Sequence, residues 1–171
     1  TNFKNIILRS SDMICEDSIN IKNSSGIINK IKIDNSYFDA LDLDFSKIKI
    51  NDLKVNNAKN DCIDFSFGEY EIINANLKNC GDKGLSVGER SKLNMHNGVI
   101  MYSNIGIASK DDAITNVKNV AMNNMNICLA AYNKKKEFKG SKLNIKSLNC
   151  NQYNTLKQHD RLSEINILKQ N

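Results

Sequence analysis

The chain has 171 residues, 24 of them Lys or Arg and 19 Asp or Glu, giving a net charge of +5, with 40% hydrophobic side chains and no proline or tryptophan. That length fits one domain, and from Thr1 onward neither an apolar leader nor an apolar span long enough to cross a membrane is read. The positive excess is scattered lysine plus the run Lys134–Lys136; without interleaved aromatic residues it reads as a solvated surface, which excludes nucleic acid as the expected partner.

Residues up to about Asp17, with "FKNIILRS", read as an incomplete turn at the start of a repeat. From Ser18 the chain repeats every 22 residues without a gap. Ala40, Cys62, Gly84, Gly106 and Cys128 fall in one column, and the next holds Leu41, Ile63, Leu85, Ile107 and Leu129, all apolar. Leu43, Phe65, Val87, Ser109 and Ala131 form a further column, and Ser18, Ile19 and Ile21 extend all of them backwards. Each unit opens with apolar/polar alternation, as in Leu41-Asp42-Leu43-Asp44, the period of a half-buried strand. Apolar pairs come next in the unit at Ile48/Ile50 and Leu53/Val55, with Ile31/Ile33 in the place of Leu53/Val55 one unit earlier.

Three short strands per unit leave no room for a helix, and a unit so small cannot close a core without stacking on its neighbours. The expected fold is therefore all-β: a right-handed parallel β-helix, a solenoid of about seven turns stacked about 4.8 Å apart, forming a single domain over 1–171. First strands are expected near 41–45, 63–67, 85–89 and 107–110.

Corner chemistry agrees. Asn60, Asp82, Asn104 and Asn126 share one column, and Asn57, Asn79 and Asn123 another. Asparagine tolerates the left-handed backbone of corners, and stacked Asn side chains hydrogen-bond along a column. The lack of proline fits a fold in which nearly every N–H is wanted by a neighbouring turn.

Regular turns span about 18–127, and 128–171 is irregular. There "NKKKEFKGS" lengthens one turn into an expected protruding loop, and "EINIL" supplies a final turn or cap. The chain is expected to be a piece of a longer protein whose further turns or caps cover both ends. Cys62 and Cys128 lie in one column but three turns apart, about 14 Å. Cys80 is expected between Ala58 and Tyr102, so no disulfide is expected. The cysteines read as small apolar fillers, and no zinc-ligand spacing is present.

The stretch "GDKGLSVGE", Gly81 to Glu89, does not match a phosphate loop. It is one rung of the solenoid, with Leu85 and Val87 inside and Asp82, Lys83, Ser86 and Glu89 at the corner or outside. Outward columns of the first strand read Asn20, Asp42, Asp64, Ser86, Ala108 and Lys22, Asp44, Ser66, Gly88, Lys110. Asp42 over Asp64 places two carboxylates about 5 Å apart. Solvent, a lysine or a cation must offset their repulsion; Ca²⁺, which takes several oxygen ligands, suits Asp42 and Asp64. Asp17, Asp39 and Asp61 also share a column, as a repeated corner residue.

On these residues the chain from about Ser18 to Cys150 resembles the pectate-lyase-like right-handed β-helix superfamily. Turns such as "DALDLDFSKIKI", "GDKGLSVGE" and "NIGIASKDD" resemble β-helix segments of large bacterial proteins. There is a degenerate resemblance to polygalacturonases, whose Asn-Thr-Asp-Gly, Asp-Asp, Gly-His-Gly and Arg-Ile-Lys motifs stand on successive turns. Asp39 matches the first aspartate and Asp61 the second of the pair, with Asn60 replacing its partner. Lys83 stands in place of the histidine, Lys110 matches the lysine, and Ala108 replaces the arginine. Lyases of the superfamily imply calcium on aspartates and a basic side chain, for which Lys83, Lys110 and Arg90 are candidates. Resemblance also implies an extracellular or cell-surface location.

An inverting hydrolase needs an acid and a base carboxyl, and Asn60 removes one. The expected function is a non-catalytic ladder surface that binds a polysaccharide or a protein through Asp42, Asp44, Asp64, Ser66, Ser86, Glu89 and Lys110. The alternative is a lyase or hydrolase acting on an acidic polysaccharide through Asp39, Asp61, Lys83 and Lys110.

Overall fold

The computed structural model describes residues 2–9 and 16–170. All regular structure among them is β. The strands are β1 (Asn2–Arg9), β2 (Asp17–Lys22), β3 (Ser25–Ser36), β4 (Asp39–Asp44), β5 (Lys47–Ala58) and β6 (Ile63–Ser66), then β7 (Glu69–Gly88), β8 (Lys92–Lys110), β9 (Ile114–Tyr132), β10 (Lys142–His159) and β11 (Glu164–Gln170). β1, β3, β5, β7, β8, β9, β10 and β11 stack in that order, while β2, β4 and β6 stack beside them and join β7. Every pairing is parallel. The fold is the expected parallel β-helix. "FKNIILRS" does supply the lowest strand; its Ser10, like Cys15, lies outside the described residues.

Stacked apolar columns make the interior. Leu41, Ile63, Leu85, Ile107 and Leu129 stand in register, and all are fully buried. Ile33, Val55, Leu77 and Ile100 form a parallel column across the core. Each side chain packs between its own equivalents above and below, so no single turn owns the core. In β7, β8 and β9 the expected short strands fuse into continuous strands of 20, 19 and 19 residues.

The corners are left-handed. Asn35, Asn57 and Asn79 have φ of 65°, 63° and 56°. Asn57 and Asn79 each donate an amide N–H to the carboxamide oxygen below, at 2.9 and 2.7 Å. Tyr102 and Asn124 continue that corner at φ 59°. Asn123 was expected in it, but the register is not gapless. Lys92 lies opposite Glu69, one residue past the 22-residue spacing, and a bulge between Cys80 and Lys83 restores it. Glu89 and Arg90 are both left-handed (φ 43° and 61°) and widen the turn to admit the extra residue. Cys80 consequently faces Ser103 and not Tyr102.

The absence of disulfides is corrected outright. Cys62 bonds Cys80 and Cys128 bonds Cys150. Column neighbours were the wrong partners to consider. Ile100 packs on Gly84 and Met122 on Gly106, so closely that a Cβ on either glycine would come within 2.6 Å of its partner's side chain. These contacts are diagonal, between a corner residue and the turn above it. Cys150 is in register with Met122 and so meets Cys128 in this way. Cys80 stands over Ala58, four residues before Cys62 in the turn below, and closes the other bridge.

The lengthened turn also departs from expectation. Between β9 and β10 the register jumps to Ile114 opposite Lys142. The intervening loop does not protrude but folds back along the first-strand face. Asp111 Oδ1 accepts the Lys134 and Lys135 N–H groups at 2.6 and 2.9 Å, and Asn133 N–H donates to Asp160 at 2.6 Å. Phe138 then reaches Phe67, with ring centroids 6.0 Å apart.

Candidate functional site

The first-strand face runs from β2 through β4 and β6 to the ends of β7, β8 and β9. Alternation aims Asp42 and Asp64 outward on adjacent rungs, in register with Ser86 and Ala108. Both acids remain partly exposed, but Ser86 and Ala108, expected on the outer face, have no exposure. Lys110 is 3% and Glu89 5% exposed. The returning loop covers Glu89, with which Lys135 pairs at 2.6 Å. Glu89 also accepts the Ser66 hydroxyl at 2.7 Å. Burial raises the Glu89 pKa, but the Lys135 and Ser66 hydrogen bonds outweigh it and hold the carboxyl below its usual range.

Lys110 lies along the face. A Cβ on Gly88 would sit 3.2 Å from its Cε, so glycine makes room for the stem. Its ammonium reaches Asp64 Oδ1 at 3.6 Å. That buried oxygen and Ser86 Oγ have no hydrogen-bond partner. Lys83 pairs with Asp61 at 3.4 Å and with Asp82. Burial depresses the Lys83 pKa, but Asp61 and Asp82 more than reverse it, so the amine is held cationic.

Asp39 and Asp61 act chiefly on the backbone. Asp39 Oδ1 accepts Asp61 N–H at 2.8 Å and the Asn60 amide at 2.7 Å. Asp61 Oδ1 accepts Lys83 N–H at 3.0 Å. Each corner aspartate thus caps the turn above it, which accounts for the repeated column. Burial pushes Asp61 to about 6 against the pull of Lys83, and it raises Asp39 as well. Among the described residues, Asp39, Asp61 and Asp64 form a trio whose carboxylate oxygens all lie within 4.8 Å of one another. Asp42, the expected calcium partner of Asp64, is not among them; it accepts the Asn20 amide at 2.7 Å. Lys83 and Lys110 already place two positive charges on that trio. Arg90, a candidate base, has 66% side-chain exposure, lies 3.7 Å from Asp112 and sits over the Phe138 ring at 5.4 Å.

Asp42 carries the plainest electrostatic signature. Burial first, then Asp44, Asp64, Asp17 and Asp39, push its pKa up to about 7. The folded state thus holds a proton that the unfolded chain releases near its ordinary value of 3.8. Stability from this group is fully present below about pH 4 and declines as pH rises through about 7. Asp42→Asn removes that penalty. At pH 8 it should raise Tm by about 2–4 °C, equivalent to about 1 kcal/mol after discounting for partial exposure; at pH 4 the two proteins should melt together. Thermal melts at both pH values check it, and an equal shift at each would contradict the assignment.

Beside the carboxylates stands an aromatic group that the charge pattern of the sequence does not single out. Phe45 and Phe67 occupy the left-handed corner just after the first strand, at φ 48° and 49°. Their rings stack at 4.6 Å and 4°, and they remain 48% and 36% exposed. Tyr70 fixes this corner by donating its hydroxyl to Leu43 C=O at 2.8 Å. An open cleft of about 470 Å³ lies alongside, lined by Ser24, Ser46, Lys47 and Glu69 with the two rings. Larger concavities lie over the second strands, one of them sharing Ser25, Lys47 and Glu69 with this cleft.

Comparisons with protein-family models, with curated proteins and with solved structures return no match. Among the described residues no helix is long and apolar enough to cross a membrane.

Proposed function

We propose that the first-strand face is a non-catalytic carbohydrate-binding surface. The observation that carries it is the exposed, face-to-face stacked Phe45–Phe67 pair beside Asp42, Asp44 and Asp64. A sugar ring offers an apolar C–H face to the exposed rings of the stack and hydroxyls to carboxylate acceptors, the mixture that small-ligand sites use. The carboxylates outnumber the lysines at this end, which favours a neutral glycan over a polyanion.

Two features speak against catalysis. Asp39 and Asp61 spend an oxygen each on the backbone, and a lysine held cationic is no base at neutral pH. The rival reading, a lyase or hydrolase of acidic polysaccharide, draws on one observation: Asp42 titrates near 7 on the same face as Lys110 and so offers an acid at neutral pH. In the finer form of our reading, the chain is a pectate-lyase-like β-helix segment of a larger bacterial protein. The two disulfides favour an oxidising compartment, extracellular or at the cell surface.

A glycan array tests the proposal. Binding to neutral oligosaccharides is expected, weakened about tenfold or more by Phe67→Ala, since aromatic anchors carry interface energy at about 2 kcal/mol each. No reducing sugar should appear from any bound glycan or from polygalacturonate. Binding unchanged in Phe67→Ala would remove the platform, and sugar release would establish the catalytic reading.

A further inference from the structure

A second groove lies on another side of the solenoid, over the strand segments that contain Met95, Val117 and Ile145. It encloses about 550 Å³. Its floor is the strand backbone at those residues, whose side chains turn into the core, and its walls are two columns that the repeat builds. One column is asparagine: Asn116 donates to Asn94 at 3.0 Å, Asn144 to Asn116 at 3.0 Å and Asn166 to Asn144 at 3.1 Å. The ladder uses one N–H and one lone pair of each interior carboxamide and leaves a donor and an acceptor on each. Because the ladder already fixes the rotamers, a ligand would meet those groups without ordering them.

The other column is basic. Register places His96, Lys118 and Lys146 on successive rungs, about 4.8 Å apart. His96 meets Glu71 at 3.1 Å. Lys118 and Lys146 are exposed and have no ion-pair partner among the described residues. Elsewhere along the solenoid lysines of the second strand pair with acids on the next turn, as Lys47 does with Glu69 and Lys142 with Glu164. Here two like charges adjoin with nothing between them, a repulsion that a bound anion would turn into attraction.

We infer that this groove binds a strand of sulfated polysaccharide. Charge selects a polyanion, and the asparagine ladder suits the hydroxyls of a glycan. No Phe, Tyr or Trp lines the groove, so the base-stacking that single-stranded nucleic acid requires is missing. The column also contains no arginine, the residue whose planar fork matches a carboxylate; ammonium groups act as point charges and serve a tetrahedral oxyanion equally well. This inference is independent of the first-strand face, whose acids repel such a ligand.

Dextran sulfate immobilised on a sensor surface tests it, with unsulfated dextran, polygalacturonate and a single-stranded oligonucleotide as competitors. The protein should bind dextran sulfate, and Lys118→Gln/Lys146→Gln should weaken binding about tenfold or more, because the paired phosphate- or sulfate-type contacts dominate polyanion affinity. Lys54→Gln/Lys157→Gln, which removes the same charge from exposed positions outside the groove, should leave affinity nearly intact. Both double variants should melt with the wild type, which separates lost binding from lost fold. No binding of dextran sulfate would overturn the inference. So would an equal loss in both double variants, or stronger competition by dextran, polygalacturonate or the oligonucleotide than by dextran sulfate itself.

Discussion

Ile63→Asp should cost about 4 kcal/mol or more, because it places a charge with no partner in a fully apolar column. Ile63 has no exposure and stands in register between Leu41 and Leu85, themselves fully buried. The neighbouring Asp64 is directed outward, so the substitution puts an acid on the wrong side of a two-residue period. For a chain of this length the Tm should fall by about 8–16 °C. Because each turn's core is made with its neighbours, melting should remain cooperative across the turns that flank it. Denaturant titration of wild type and variant gives the value directly. A loss within about 0.5 kcal/mol, the range of ordinary surface changes, would contradict the column.

Replacing both Cys62 and Cys80 by alanine should cost about 3 kcal/mol, the chain-entropy value for a closed loop of roughly this size. The bridges close 18 and 22 residues in sequence. Each joins consecutive turns, so it restrains in the unfolded chain the juxtaposition on which stacking depends. A Tm lowered by about 6–12 °C is expected for the variant, and by a comparable or larger amount for wild type under a strong thiol reductant. Thiol titration of the unfolded, unreduced chain is the companion measurement. Free thiols at Cys62, Cys80, Cys128 and Cys150, with a Tm indifferent to reductant, would show that the pairs are not oxidised.

The period carried the fold, and the reason is physical. In a solenoid the same few positions face inward on every turn, so the columns through Ile63 and Phe65 could be read without knowing where any turn lay in space. Asp42 over Asp64 and the corner column of Asp17, Asp39 and Asp61 came from the same count. What the period could not carry was contact between unlike positions. The disulfides join a corner to the diagonal position one turn up, and at Cys150 the inserted loop had displaced the register. Diagonal as well as vertical neighbours are needed to bring Cys62 and Cys80 together.

The cover over Glu89 comes from a loop that belongs to no repeat, held by Asp111, Asn133 and Phe138. The aromatic platform itself was legible in hindsight. Phe45 and Phe67 are 22 residues apart and come just after the first strand, where no core column needs them. With only two aromatic rungs in that column, the repeat alone does not distinguish an exposed stack from an interior one.

The carbohydrate surface is tested most directly by hydrogen–deuterium exchange with and without an oligosaccharide selected on the array. Protection should appear in peptides that cover 39–46 and 61–68, where the carboxylates and the Phe45–Phe67 platform lie, with the loop at 133–140 slowed as its Phe138 contact tightens. Protection confined to other faces of the solenoid, with these segments exchanging as fast as in the free protein, would contradict the assignment of the first-strand face.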